Sequence, residues 1–204
     1  MMLRNAIEDA EEQLIAFDHR AAKLFKPYRA IAETPAVDAV SKLGDQPELR
    51  TIAGAIILAG IAFESDRMVR AGARMVIAHE AATLTKDTLK LQIDRKRPRS
   101  ASDRRDSKPR MGKSKAKELS SFPSGHSAGS IAAARALARE YPEYGAAALV
   151  AAGLIAVLQV PRSAHYPSDV AAGLVIGLAA EAATNALWNL TRMDERSRSG
   201  GSEH

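Results

Sequence analysis

Cysteine is absent from this chain of 204 residues. There is therefore no disulfide framework, no thiolate-held zinc or iron–sulfur site, and no thiol nucleophile. Aromatic residues are scarce at 4%, with a single tryptophan. That is too few to stack a run of unpaired bases, which sets aside single-stranded nucleic acid. Strand signals are sparse as well: β-branched alternation is rare and no Asn-Gly pair marks a hairpin. Residues 1–18 do not read as a secretory leader, because they lack an apolar core before a small-residue cleavage site. Long apolar runs are few. A membrane span asks for about 20 largely apolar residues. Val170–Leu190 has the length but carries Glu181, while Gly145–Val160 and Thr51–Phe63 are shorter.

What is present is segregated. Hydrophobic residues make up 46% of the chain, yet the mean hydropathy is −0.18. Eleven basic residues crowd between Arg95 and Lys117, opposed only by Asp103 and Asp106, so this stretch carries +9. Taking that from the chain's +5 leaves the remainder at −4. The basic character is one loop, read either as a solvated linker or as an attractor of anions. Among anions, an acidic substrate or a lipid surface comes before nucleic acid, since no recognition helix accompanies the charge.

The apolar periodicity is helical. Leu3, Ile7, Ala10, Leu14 and Phe17 recur at intervals of three and four, which predicts an amphipathic N-terminal helix docking on a bundle or a partner helix. Thr34-Pro35 is a helix start, the helix ending near Gly44. Thr51–Phe63, Met68–Leu91, Ser127–Glu140, Gly145–Val160 and Val170–Leu190 follow as helical blocks. Gly173 and Gly177 form a small-xxx-small pair suited to close helix contact. These features predict an all-α helical bundle. It is expected to be membrane-embedded, with its site at the helix ends on one face. Residues 1–34 form an N-terminal helix and connection, 35–190 the bundle with a basic loop at 98–118, and 191–204 a disordered tail.

Three short segments at helix ends carry chemistry. Lys90 and Arg97 are two cations suited to phosphate oxygens, arginine through its planar fork. Ser124-Gly125-His126 precedes a helix whose first N–H groups and positive dipole end favour an anion. His126 there stands where a proton is given or taken. His165 and Asp169 are four apart, so the carboxylate is expected to reach one ring nitrogen and leave the other as a nucleophile. The set fits phosphoryl transfer through a phosphohistidine and needs no metal or cofactor. His79-Glu80 has the opening of a zinc motif, but the second histidine falls at Thr83. His79 and Glu80 are read as interior or interhelical contacts, and Lys86 as a solvated lysine or a second phosphate cation.

These segments resemble the signature of the type 2 phosphatidate phosphatase superfamily, which includes lipid phosphate phosphatases, bacterial class A acid phosphatases and vanadium haloperoxidases. Lys90, Arg97 and Pro98 match the first motif. Pro123, Ser124, Gly125 and His126 match the second, and His165 and Asp169 match the third. The likeness covers about residues 35–190. It departs at one place: the family's third motif opens with Ser-Arg, and here Leu158-Gln159 stand in those positions. Arg162, three before His165, is the candidate to replace the missing guanidinium.

The resemblance implies a metal-independent phosphatase acting on a lipid phosphate or isoprenyl diphosphate. His165 would be the nucleophile, His126 the proton donor and Asp169 the orienting acid. Lys90, Arg97, Ser124, Gly125 and Arg162 would bind phosphate. The expected partners are that substrate, a membrane (a multi-pass placement in a bacterial inner membrane) and a second copy of the chain, with no nucleic acid. The competing readings are a vanadium-dependent haloperoxidase, a soluble non-specific acid phosphatase, and a non-catalytic membrane scaffold with a degraded site.

Overall fold

The computed structural model describes residues 2–114 and 116–200, with side chains as far as Thr191. Lys115, one of the eleven basic residues, and 201–204 lie outside the described residues. The elements run α1 (Met2–Phe25), α2 (Arg29–Ala32), α3 (Pro35–Lys42), α4 (Gln46–Ala62), α5 (Asp66–Lys90), β1 (Ile93–Asp94), β2 (Arg110–Met111), α6 (Gly125–Glu140), α7 (Pro142–Val157) and α8 (Pro167–Gly200). The architecture is an all-α bundle with a minimal antiparallel ribbon. Proline opens α3, α7 and α8, where its missing N–H is no loss. Ser65 and Ser124 cap α5 and α6 through their side chains.

α6 is the central helix and packs against α5, α7 and α8. Its small residues make that possible: Ala128, Ala132, Ala133 and Ala136 are buried in one cluster with Ala78 and Ala82 of α5 and Ala180 of α8. Close approach is most demanding where α8 crosses the start of α6. A Cβ on Gly173 would lie 2.4 Å from the Ser124 carbonyl oxygen, and one on Gly177 2.3 Å from that of Ala128. The paired glycines thus serve backbone-to-backbone contact, as their spacing predicts.

Beside this alanine-rich core the bundle also buries charge, and it leaves many apolar side chains exposed. Glu181 of α8 is buried and takes Arg135 at 2.9 Å and Arg139 at 2.8 Å, both from α6. Buried Arg74 bridges Glu140 and Asn185. Meanwhile Leu58 and Ile61 on α4, Ile77 and Leu84 on α5, Leu154 and Val157 on α7, and Val175 and Leu187 on α8 are exposed. Among the described residues only α8, over Pro167–Thr191, is long and apolar enough to cross a membrane; α7 is apolar but shorter. The five apolar blocks are all helices, yet by length or composition four of them fall short of a membrane span.

Three other expectations are corrected. The N-terminal helix does not pack on the bundle through its apolar stripe. Ile15, Asp18 and Ala21 are the buried residues of α1, and Leu3, Ile7, Leu14 and Phe17 face outward. The basic loop is no solvated linker either. β1 pairs with β2 in the register Ile93↔Met111 and Asp94↔Arg110. Lys96 binds Asp106 at 2.9 Å, Lys108 binds Glu11 at 3.1 Å, and Arg104 donates to the Glu12 carbonyl at 2.9 Å. The acidic side of α1 therefore neutralises part of the loop, which is how a −4 remainder and a +9 stretch coexist in one body. Finally, the tail continues α8 to Gly200. Thr191 to Arg198 contains neither glycine nor proline, so nothing local stops the helix before Gly200.

Candidate active site

Five helix termini meet at one end of the bundle: the starts of α4, α6 and α8 and the ends of α5 and α7. They enclose a cavity of about 570 Å³ lined by Lys86, Lys90, Arg97, Gly125, His126, Arg162 and His165, with Gly44, Asp45 and Gln159 among the others. The three sequence segments, up to 75 positions apart, thus share one cleft.

His165 sits between the end of α7 and the start of α8 and is 2% exposed. Its Nδ1 lies 2.6 Å from the Ser121 carbonyl oxygen but 3.8 Å from the Asp169 carboxylate. This corrects the expected pairing: the backbone carbonyl fixes the tautomer as Nδ1–H, and Asp169 acts at Coulomb range. Nε2 is left with its lone pair. Burial pushes this imidazole down to about 4, against the pull of Asp169, with Arg97 and Lys90 adding to the depression. The ring is therefore neutral over the ordinary pH range, as a nucleophile must be.

Asp169, in the first turn of α8, is fully buried. It accepts from the Ser121 hydroxyl at 2.6 Å and the Tyr166 N–H at 2.9 Å, and it pairs with the Arg95 guanidinium.

His126 occupies the first turn of α6 and is half-buried. Its Nε2 meets Asp45, just before α4, at 2.8 Å. Burial lowers this imidazole, Asp45 opposes the shift, and Arg162, Arg97 and Lys90 reinforce it. Asp45 was not singled out by the sequence motifs. The signal available was an acid just ahead of Gln46-Pro47, a helix start like Thr34-Pro35.

The cations divide into groups. Lys90 donates to the Ser120 carbonyl at 3.1 Å, and Arg97 to the Lys117 carbonyl at 2.9 Å. Neither is tied to a carboxylate by these bonds, so both keep their charge for an anion in the cleft. Lys86 is buried, its stem lying 3.1 Å from where a Gly125 Cβ would be. It lines the cavity with the other two and pairs with its neighbour Asp87, which is exposed. Of its two readings the cavity one is placed here. Arg162 reaches the same cavity from the α7–α8 turn, but its guanidinium holds Asp38 at 2.7 Å and the Ala32 carbonyl at 3.2 Å. Gln159 is buried and donates to Ser41 at 3.0 Å and to the Ile155 carbonyl at 2.9 Å.

Ser124, expected to bind phosphate, is not among the residues that line the cavity. It is fully buried, its N–H donates to the Asp169 carbonyl at 3.0 Å, and its hydroxyl caps the helix toward Ser127. The first-turn N–H groups that face the cleft are those of Gly125 and His126, which precede the first intrahelical bond from Ala128 to the Ser124 carbonyl. The cleft brings together a neutral buried imidazole, a second histidine, three cations and a helix N-terminus. That arrangement can hold a tetrahedral anion and transfer it to nitrogen.

A family model described as the PAP2 superfamily matches residues 71–192. Among solved structures, Aquifex aeolicus LpxE aligns with a TM-score of 0.57 at 20% identity, over 80% of this chain and 93% of that one. The first transmembrane PAP2 type phosphatidylglycerolphosphate phosphatase from Bacillus subtilis aligns with a TM-score of 0.40 at 18% identity, over 85% and 96%. No curated protein matches the chain. At such identities the first likeness concerns the fold alone.

Proposed function

The chain belongs to the PAP2 superfamily, and on that premise we propose that it is a metal-independent phosphohydrolase working on a lipid phosphate or isoprenyl diphosphate through a phosphohistidine. The observation that carries this reading is the convergence of His165, His126, Lys90, Arg97 and the first turn of α6 on one cavity. The Nε2 lone pair of His165 attacks phosphorus in line, and the P–O bond to the leaving group breaks. His126 supplies the proton to the departing oxygen. It then takes a proton from the water that cleaves the P–N bond and releases phosphate. Lys90, Arg97, Lys86 and the Gly125 and His126 N–H groups neutralise the equatorial oxygens. Arg162 joins them if the substrate draws it from Asp38.

A lipid substrate is supported by the exposed apolar side chains that ring α4, α5, α7 and α8 beneath the cleft. In a bilayer they meet hydrocarbon, while Glu181 and its arginines stay inside the bundle. Beyond Arg97 a second hollow of about 310 Å³ is lined by Arg97, Arg99, Ser100, Lys117 and Glu118, three cations against one acid, which leaves a net positive charge for a second anionic group of the substrate. A soluble acid-phosphatase-like bundle is favoured by one feature. The Arg50–Glu80 pair, at 2.6 Å, is part-exposed on the α4–α5 surface, where lipid contact is costly.

The test is phosphate release from phosphatidate, phosphatidylglycerol phosphate, isoprenyl diphosphate and p-nitrophenyl phosphate, with and without EDTA. Turnover that survives EDTA, with loss of activity and of the phosphoenzyme in His165→Ala, is the expected outcome. Inhibition by EDTA that a divalent ion reverses contradicts the mechanism. Equal rates on all four substrates remove the lipid preference.

A further inference from the structure

Arg95 lies buried at 2% exposure between two fully buried carboxylates. One is Asp169. The other is Asp18 of α1, whose carboxylate meets Arg95 Nη2 at 2.6 Å. The guanidinium is otherwise spent on the Ser107 carbonyl at 2.7 Å and the Ser168 hydroxyl at 2.8 Å, and it lies 4.2 Å over the Tyr166 ring. Asp18 also accepts from the Ser168 N–H at 3.0 Å and pairs with the Ser168 hydroxyl. It thus binds the first turn of α8, the turn that carries Asp169, from 150 positions upstream. Asp18 lies outside the residues that match the family model.

The charge count gives this contact a consequence. Arg95 and Asp169 alone cancel. When His165 takes a phosphoryl group its ring becomes cationic, and a neutral pair nearby offers it little. Asp18 adds one negative charge to the cluster, so the side of the site behind His165 is net −1. The groups on the opposite side, Lys90, Arg97 and Lys86, are all positive. Asp18 thus offsets the Arg95 charge that Asp169, which Arg95 also binds, would otherwise meet alone.

We infer that Asp18 is a positioning residue for phosphoryl transfer: through Arg95 it sets the charge and placement of the Asp169–His165 pair, so the site is completed by the N-terminal helix. The inference rests on the phosphohydrolase reading, with His165 as nucleophile.

Asp18→Asn keeps the shape and removes the charge. On the full chain in detergent micelles, phosphoenzyme formation and kcat are expected to fall about ten- to thirtyfold, the effect of one charge acting across a partly screened interior. KM is expected to stay nearly constant, because Asp18 does not touch the substrate. The His165 imidazole titration, followed by NMR, is the readout that a merely structural role does not reproduce. Loss of a nearby negative charge moves it further down. Simple loosening of the site admits water and moves it up toward the ordinary histidine value. Asp18→Glu, which retains the charge, is expected to recover most of kcat and the original titration. If Asp18→Asn does not fold, Asp18→Ser is read in the same way.

A titration that is unchanged or rises overturns the proposal, whatever the rate does. So does a wild-type kcat in Asp18→Asn. If the wild type releases no phosphate while the titration falls as stated, the phosphohydrolase reading fails and the electrostatic coupling stands.

Discussion

The two histidines differ in how they hold their protons, and that difference sets a pH dependence. His165 must be neutral to attack, and burial puts its ring at about 4. His126 must be protonated to serve the leaving group, and burial places it below the ordinary 6.5. A profile of kcat/KM, which reports the free enzyme, is therefore expected to rise through about pH 4 and to fall before about pH 6.5. Asp45→Asn removes the charge that supports protonated His126, so the falling limb should move further to the acid side. A profile flat to pH 8 in both proteins sinks this assignment. The same depression bears on stability. Unfolded His165 takes a proton below about pH 6.5 and the folded ring does not until about 4. Stability is thus lost as the pH falls across that window, by about 3 kcal/mol in all. That these residues meet in one cleft was legible from residue type and spacing, because an anion site calls for cations, imidazoles and a helix N-terminus together. The partners were not. Asp45 and the Ser121 carbonyl lie on other segments, and no spacing rule ties Asp45 to His126 or places Ser121 closer to His165 than Asp169.

At the scale of elements, the site is held by the contact of α8 with α6. α8 carries Asp169 and is led in by His165, while α6 carries His126. Their separation is set by Gly173 and Gly177, whose absent side chains leave room for the α6 backbone. Gly177→Ala puts a Cβ 2.3 Å from the Ala128 carbonyl oxygen, so the helices must part. A loss of about 1–3 kcal/mol is expected, with kcat falling as the two histidines separate. Gly153→Ala on α7 meets nothing within 4 Å and is expected to gain about 0.5–1 kcal/mol from helix propensity alone. Thermal melts of the two variants check the contrast, and equal shifts would refute it. The glycine pair and the helix starts were readable, since both follow from local backbone constraints. The orientation of α1 was not. Its periodicity gave an apolar stripe, but the face turned inward is the one that carries Ile15, Ala21 and the ion-paired Asp18. Nor could composition show that the basic loop is folded, because its counter-charges lie on α1, about 90 residues away.

For the whole molecule, the remaining question is which way the cleft faces. Suppose α4 to α8 cross the bilayer in turn. The connection after α5, the N-terminal segment and the α7–α8 turn then share the catalytic side, and the C-terminus lies opposite. Arginine and lysine near span ends favour the cytoplasm, counted as cations rather than as net charge. The connection between α5 and α6 holds eleven of them from Arg95 to Lys117. Their pairing with Glu11, Glu12 and Asp18 does not alter the count, because acidic residues contribute little to the rule. On that supposition the expectation is a cytoplasmic cleft with the C-terminus on the other side. Alkaline phosphatase fused after His204 in a bacterial host is expected to be active. A cytoplasmic fluorescent reporter that lights at the same position reverses the orientation. Recovery of the chain from the aqueous fraction without detergent removes the bilayer from the account and leaves the soluble bundle, whose cleft needs no side.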